Sequence, residues 1–505
     1  MLPLVFRDYY FNILETKYQF YCIVSIIALV VMGGYGLASG KMIEWFSKFD
    51  FKTWRKGMSF GDWAMIAFWL ANVISWALSK DWKWEAFWGT SGRYNGVFLM
   101  TIYMAVYFLV TRFFKLKRWY LDAFLAVGIF VCVFGITDYF QMDVLGFKVN
   151  MMDTQKSSYT STFGNINTYT IYVAALMAIS MILFTQEKNQ KRMMWYYGNM
   201  ILSAFALIMG NSDNAYLSLA AIFGLSPLWL FKTKTGIRKY MISLASFFTV
   251  IWCIEWINNA YASSVLGISS AFDLIAGHKF LPVLIAALWI ISGVLVFLDK
   301  KSKVSRTYTE ETNKILIYIW IAVIAVVCAA AAFVLYDANV AGHADKYSAI
   351  SNYVVFNDAW GTHRGYIWKR AMEIFTDKLT PVQKLFGYGA DTFALIMQYY
   401  FPPAQSGGII KIYDSAHNEY LHYLITIGLF GTGSYVAFML ASVAAMAKKM
   451  KEQPEVMAIM IAVLAYMIQA VVNINLPIVM PIIIQLLAMG VGRKKIPAED
   501  TKNEK

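Results

Sequence analysis

The sequence predicts an all-α polytopic membrane helix bundle of about 12–13 transmembrane helices with one long extracytoplasmic loop. Three observations carry that prediction. Hydrophobic residues make up 59% of the 505 positions and charged residues 15%, with a mean hydropathy of +0.51, where soluble domains run nearer about 25% charged. Apolar runs of about 18 or more residues, each long enough to cross a hydrocarbon core as a helix, recur along the whole chain. Basic residues gather in every second connection between those runs, the pattern that marks the cytoplasmic loops of a multi-span protein.

The runs cover 18–38, 62–79, 95–112, 119–137, 166–184, 195–210, 215–231, 240–258, 280–298, 314–336, 417–441, 456–474 and 477–492. Lys41, Lys48, Lys52, Arg55 and Lys56 follow the first run, and Arg112, Lys115, Lys117 and Arg118 the third. Lys188, Lys191 and Arg192 follow the fifth, and Lys232, Lys234, Arg238 and Lys239 the seventh. Lys300, Lys301, Lys303 and Arg306 follow the ninth, Lys448, Lys449 and Lys451 the eleventh, and Arg493, Lys494 and Lys495 the last. Those connections are cytoplasmic by the charge rule, so 80–94, 138–165, 211–214, 259–279 and 337–416 face outward.

The alternation puts the C-terminus inside and the N-terminus outside. Either 1–17 holds an interfacial or re-entrant segment, or a helix precedes Met1. Residues Met1 to Glu15 lack the basic, then short apolar, then small-residue order of a cleavable signal. The expected organisation is a bundle over 1–336, an outer loop over 337–416 that carries short helices and function, further spanning helices over 417–492, and a basic cytoplasmic tail over 493–505.

The net charge of +13 is spread over loops, which argues against a nucleic-acid partner and for a membrane. Cys22, Cys132, Cys253 and Cys328 lie singly inside apolar runs. Their spacing supports neither a disulfide framework nor a zinc site, and they read as packing residues.

Chemistry concentrates on the outer side, where His278, His343, His363, His417 and His422 all fall. Asp414-Ser-Ala-His417-Asn418 enters an apolar run directly from the long loop, and a carboxylate such as Asp414 can orient an imidazole and support its charge. His417 is therefore the candidate general base; a surface histidine is the plainer reading. In the loop, Trp360 to Phe375 reads as an amphipathic helix bearing Arg364, Lys369 and Arg370, followed by the glycine-rich turn Gly387-Tyr-Gly389-Ala-Asp391. Cations on an outward loop run against the charge rule, and anion binding explains them, since guanidiniums grip phosphate oxygens in a fork. A solvated face paired with Glu373 and Asp377 is the alternative.

Arg93 lies among Gly89, Gly92 and Gly96, either as an interfacial anchor or as a ligand contact approached closely by backbone. Asn165 and Asn167 enter the fifth run from outside, as a helix cap or as contacts to sugar hydroxyls. Asp213 sits in an outer hairpin, where a helix N-cap would be ordinary.

These residues resemble a family. His417-Asn418, nine residues, Gly428, two residues, Gly431 is similar to the signature of the O-antigen ligase and polymerase family of bacterial envelope glycosyltransferases. Gly-x-Arg93-Tyr-x-Gly, Phe-Gly-Asn165-x-Asn167, and the run from Arg364 through Phe-Gly-Tyr-Gly-x-Asp-Thr-Phe393 agree, in order and on one side. The resemblance implies a bundle of the membrane glycosyltransferase type in the bacterial cytoplasmic (inner) membrane, with its active site outside. The implied donor is a glycan on undecaprenyl pyrophosphate, and the implied acceptor is a hydroxyl on a glycan, lipid or wall polymer. It implies no cofactor and no metal, His417 as the base, and Arg93 and Arg364 on the pyrophosphate, with Asp414, Asn418, Asn165, Asn167, Asp213, Lys369 and Arg370 in support. Ligases of the family often carry Arg, three residues, Leu at the outer end of a helix. Asp213-Asn-Ala-Tyr-Leu217 puts a carboxylate in the arginine's place, which weakens ligation onto a lipid A core.

The competing class is a transporter or flippase of lipid-linked sugars. Such proteins commonly show internal repeats and ionisable groups near the midplane. The sequence shows no convincing repeat, and Asp138, Asp213 and Glu255 fall towards outer ends.

Overall fold

The computed structural model describes residues 1–268, 271–301, 310–402 and 413–492. The expected cluster Lys300, Lys301, Lys303 and Arg306, as side chains, the tail 493–505 and positions 403–412 of the loop lie outside the described residues. What is described is an all-α polytopic membrane bundle. Its helices are α1 (Ile13–Ala38), α2 (Phe60–Leu78), α3 (Val97–Phe113), α4 (Arg118–Tyr139), α5 (Ile166–Gln186), α6 (Gln190–Met209) and α7 (Asn214–Leu225). There follow α8 (Lys234–Ala260), α9 (Leu281–Lys301), α10 (Glu310–Asn339), α11 (Gly428–Lys449), α12 (Pro454–Gln469) and α13 (Met480–Val491). Among the described residues, nine helices are long and apolar enough to cross a membrane, and α3, α13 and the Asn214–Leu230 stretch are shorter apolar helices. One two-residue ladder, Tyr159–Thr160 against Gly164–Asn165, is the sheet.

Helix α5 is the axis. It is hydrophobic on every face and its most apolar window is wholly buried, as a helix enclosed by other helices must be. Thr170, Ser180 and Thr185 tolerate that setting because each hydroxyl donates back to a carbonyl three or four residues earlier. Helix α10 is the opposite case: none of its apolar window is buried within the chain.

Three cations at the basic-loop ends are paired. Arg112 meets Asp62 at 2.8 Å, Arg118 meets Glu187 at 2.7 Å, and Lys239 donates to the carbonyls of Phe184 and Glu187. At the other end of the bundle, residues 1–12 form a cap, in which the buried ammonium of Lys17 gathers the carbonyls of Leu2, Pro3 and Val5 at 2.7–3.0 Å.

The structure departs from the expected elements in two places that shape the site. The run 417–441 is not one helix: Glu419–Thr426 ends at Ile427, and α11 starts at Gly428. Gly428 has φ +67°, and a Cβ there would lie 2.5 Å from the Leu385 carbonyl carbon. The glycine turn of the loop packs into this break, with Tyr388 N and Gly389 N donating to the Ile425 and Thr426 carbonyls at 3.2 and 3.1 Å. Carbonyls orphaned at the end of one helix thereby gain partners from another segment.

The second departure is the helix Trp360–Glu373, whose first turn is left-handed at Gly361, Thr362 and His363; it is regular only from Arg364 onward.

Candidate active site

The Arg93 turn is built around glycines. At Gly89, with φ +93°, a Cβ would sit 2.4 Å from Tyr94 Cα, so the ring closes only without a side chain. Asp391 reaches in from the loop's glycine turn and accepts from Thr90 N at 2.9 Å, Asn95 N at 3.0 Å and Thr90 Oγ1 at 3.2 Å. Burial pushes the Asp391 carboxyl up to about 6, against the opposing pull of the two amides. Asn95 Nδ2 donates to the Asn475 carbonyl at 2.7 Å, tying the same ring to the turn after α12. Arg93 leaves this ring with only 7% of its side chain exposed and contacts Asp414 Oδ2 at 2.5 Å.

The His417 segment is held on both sides. Trp368 Nε1 donates to the Ala416 carbonyl at 2.8 Å, and Asn418 Oδ1 caps the short helix by accepting from Leu421 N at 3.0 Å. Between these ties His417 takes φ +47°, an uncommon conformation for a non-glycine residue and one that gathers at functional sites.

Three buried nitrogens, Arg93 Nε, Arg364 Nε and His417 Nδ1, find no hydrogen-bond partner among the described residues. Buried donors and acceptors are nearly always satisfied; other side chains, Arg370 Nε among them, also lack a partner, and what sets these three apart is that two cations and an imidazole gather at one place, where they can receive a ligand. They lie within electrostatic reach of one another: burial, then Arg364, then Arg93, hold the His417 imidazole down to about 4, with Asp414 opposing. The imidazole is therefore neutral near pH 7 and able to accept a proton.

Asp414 supports the charge of the imidazole as expected but makes no hydrogen bond to it among the described residues. Its carboxylate is engaged by Arg93, and its influence on His417 is through space.

The remaining expected residues divide. Asn165 caps α5, accepting from Asn167 N and Thr168 N at 2.8 and 3.2 Å. Asn167 Oδ1 accepts from Ser212 Oγ at 2.7 Å and Asn214 Nδ2 at 3.0 Å, a seam between α5 and the start of α7. Asp213 makes no side-chain cap, contrary to the ordinary reading; it accepts from Tyr353 OH at 3.0 Å and is electrostatically coupled to Arg364. Arg370 pairs with Glu373, as the solvated-face alternative has it, and Lys369 pairs with Asp358 at 2.8 Å in place of Glu373 or Asp377. The structure thus brings Arg93, Arg364, Asp414 and His417 together and leaves Lys369 and Arg370 on local partners.

Sequence reasoning missed the layer behind the site. Glu419, 1% exposed, accepts from Tyr466 OH at 2.5 Å and from Asn475 Nδ2 at 3.4 Å. His422 lies 3.8 Å from Asp391 Oδ1 and stacks on Phe393. A polar cavity of about 10 Å³ runs between Arg93, Asn95, Asp391, Glu419 and His422, room for about one water. Asp391 stood in the glycine turn and was visible; Glu419 and Asn475 gave no signal, because one buried polar residue per helix end looks like any cap. Asp391→Ala orphans two buried amides, so a loss of about 1–3 kcal/mol for each is expected in unfolding of the detergent-solubilised protein. Unchanged stability would show that the carboxylate does not hold the Arg93 turn.

No curated protein matches the chain. Residues 268–436 match the family model described as O-Antigen ligase, a stretch that takes in Arg364, Asp391, Asp414, His417 and both signature glycines and leaves Arg93 outside. That match, over about a third of the chain, supports an assignment to the O-antigen ligase/polymerase family.

Proposed function

We propose that the protein is an outer-face glycosyltransferase that moves a glycan from undecaprenyl pyrophosphate onto an acceptor hydroxyl, by ligation or polymerisation. The observation that carries the reading is the set of three unpartnered buried nitrogens on Arg93, Arg364 and His417. Two guanidiniums match a diphosphate, and a neutral imidazole beside them matches a hydroxyl awaiting deprotonation.

In the reaction the acceptor oxygen bonds to the anomeric carbon as its proton passes to His417. The bond from that carbon to the phosphate oxygen breaks, and undecaprenyl pyrophosphate leaves with the electron pair. Attack opposite the leaving group inverts the anomeric configuration. Cations fixed in place before the charge develops stabilise the departing diphosphate without reorganisation. The donor's polyprenyl tail lies among the helices, with its head group at the outer interface of the cytoplasmic membrane.

The test supplies purified protein with the lipid-linked oligosaccharide and follows undecaprenyl pyrophosphate release. Acceptor-dependent release with an inverted linkage is expected; translocation of an intact donor with no bond broken would remove the reading.

Orientation is tested separately. A cysteine at Asp345 is expected to label with a membrane-impermeant maleimide from outside intact cells and one at Lys188 only after permeabilisation, and the reverse result would invert the protein. Cys22 and Cys132 are buried, and Cys253 and Cys328, which are not, are replaced by alanine beforehand to keep the background low.

A further inference from the structure

Beside the catalytic cluster lies a cavity of about 1030 Å³, far larger than the water-sized space under Arg93. Arg364 is part of its wall, while Arg93, Asp414 and His417 are not. The wall is mixed. Tyr216, Tyr353 and Trp360 supply aromatic faces, Asn214 an amide, and Asp213 an exposed carboxylate whose Oδ2 is held by Tyr353 OH at 3.0 Å. A carboxylate is unfavourable for a phosphate, and the polar groups of Asp213, Asn214, Asn352 and Asn357 would lose hydration against an isoprene chain, which the aliphatic part of the wall alone would suit. Sugars suit both halves of such a wall: hydroxyls donate to carboxylates and amides, and the C–H faces of pyranose rings lie on aromatic rings.

We infer that this cavity is the acceptor subsite, and that it takes the non-reducing end of an uncharged, hydroxyl-bearing glycan with Asp213 gripping its hydroxyls. The inference rests on the transferase reading and adds a substrate class to it. The charges divide the labour. Asp213 makes the cavity itself unattractive to the donor diphosphate, which is left to the space between the Arg364 and Arg93 guanidiniums, while the acceptor approaches from the cavity. An acceptor rich in phosphate would meet the Asp213 carboxylate and be disfavoured.

The experiment uses the full-length protein, lipid-linked oligosaccharide from the producing cells as donor, and the same glycan freed from its lipid by mild acid as acceptor. Transfer to the freed glycan is expected. Asp213→Asn keeps an acceptor for the Tyr353 hydroxyl but removes the charge; it is expected to raise the acceptor KM by roughly tenfold or more, the loss of a hydrogen bond to a charged group, with a much smaller change in donor KM. Trp360→Ala is expected to do the same. Tyr353→Phe deletes the latch and keeps the carboxylate, so its effect on acceptor KM should be smaller.

A rise confined to donor KM would place the donor lipid in the cavity and overturn the inference. Equal effects of Tyr353→Phe and Asp213→Asn would reduce Asp213 to a loop tether and overturn it as well. Failure of the freed glycan to accept, with donor cleavage still dependent on His417, would overturn the acceptor class and leave the transferase standing. Loss of donor cleavage in every arm would instead strike the proposed function.

Discussion

His417→Ala is expected to lower turnover by roughly 10²–10⁴-fold, the usual contribution of a positioned general base. The group lost is the only ring nitrogen in the cluster that is buried, unpartnered among the described residues and within electrostatic reach of both guanidiniums. Because His417 sits at φ +47°, alanine brings backbone strain of its own. Asparagine takes left-handed backbone readily, so His417→Asn is the control: it should fold as the parent does and remain inactive.

The pH dependence follows from the same electrostatics. Burial and the two arginines hold the imidazole down to about 4, so in the empty enzyme it loses its proton well below neutrality. A bound diphosphate offsets the arginines, and protonation becomes easier in the complex. The acid limb of kcat is therefore expected above that of kcat/KM for the donor, since the first reports the complex and the second the free enzyme. Two limbs at an ordinary imidazole value would contradict this placement of the charges.

Arg364→Ala and Arg93→Ala are each expected to reduce donor kcat/KM by about 10²–10³-fold, the range for removing one preorganised group facing developing charge. Lysine should restore little at either position, because a point charge cannot reproduce the fork that spans two phosphate oxygens. The double variant should lose less than the product of the single losses, as residues sharing one ligand are not additive. Lys369→Ala and Arg370→Ala, whose charges are already met by Asp358 and Glu373, should cost far less. If Arg364→Ala left donor dependence untouched, the diphosphate would have to be held elsewhere.

The spanning helices were legible because length, apolarity and alternating charge all report one solvent boundary. Each of the thirteen runs is occupied by helix, and the misplaced end, 417–441, fails for a tertiary reason. Ile427 and Gly428 break the helix because the Leu385–Gly389 backbone docks there, and hydropathy carries no trace of that docking. The left-handed turn at Gly361–His363 was hidden in the same way inside an amphipathic pattern.

In the site, His417, Arg93 and Arg364 stood out because an imidazole and guanidiniums are conspicuous at a membrane boundary. Lys369 and Arg370 stood out for the same reason, and only pairing geometry separates them from Arg364. Asp391 illustrates the converse. Its importance lies in two backbone amides about three hundred residues earlier in the chain, a relation that spacing along the sequence does not encode.

The most direct measurement is a structure of the protein with undecaprenyl pyrophosphate bound. The two phosphates should lie between the Arg93 and Arg364 guanidiniums, with His417 Nδ1 facing the oxygen that had carried the sugar. A diphosphate bound away from both arginines, or an imidazole turned from it, would contradict the account.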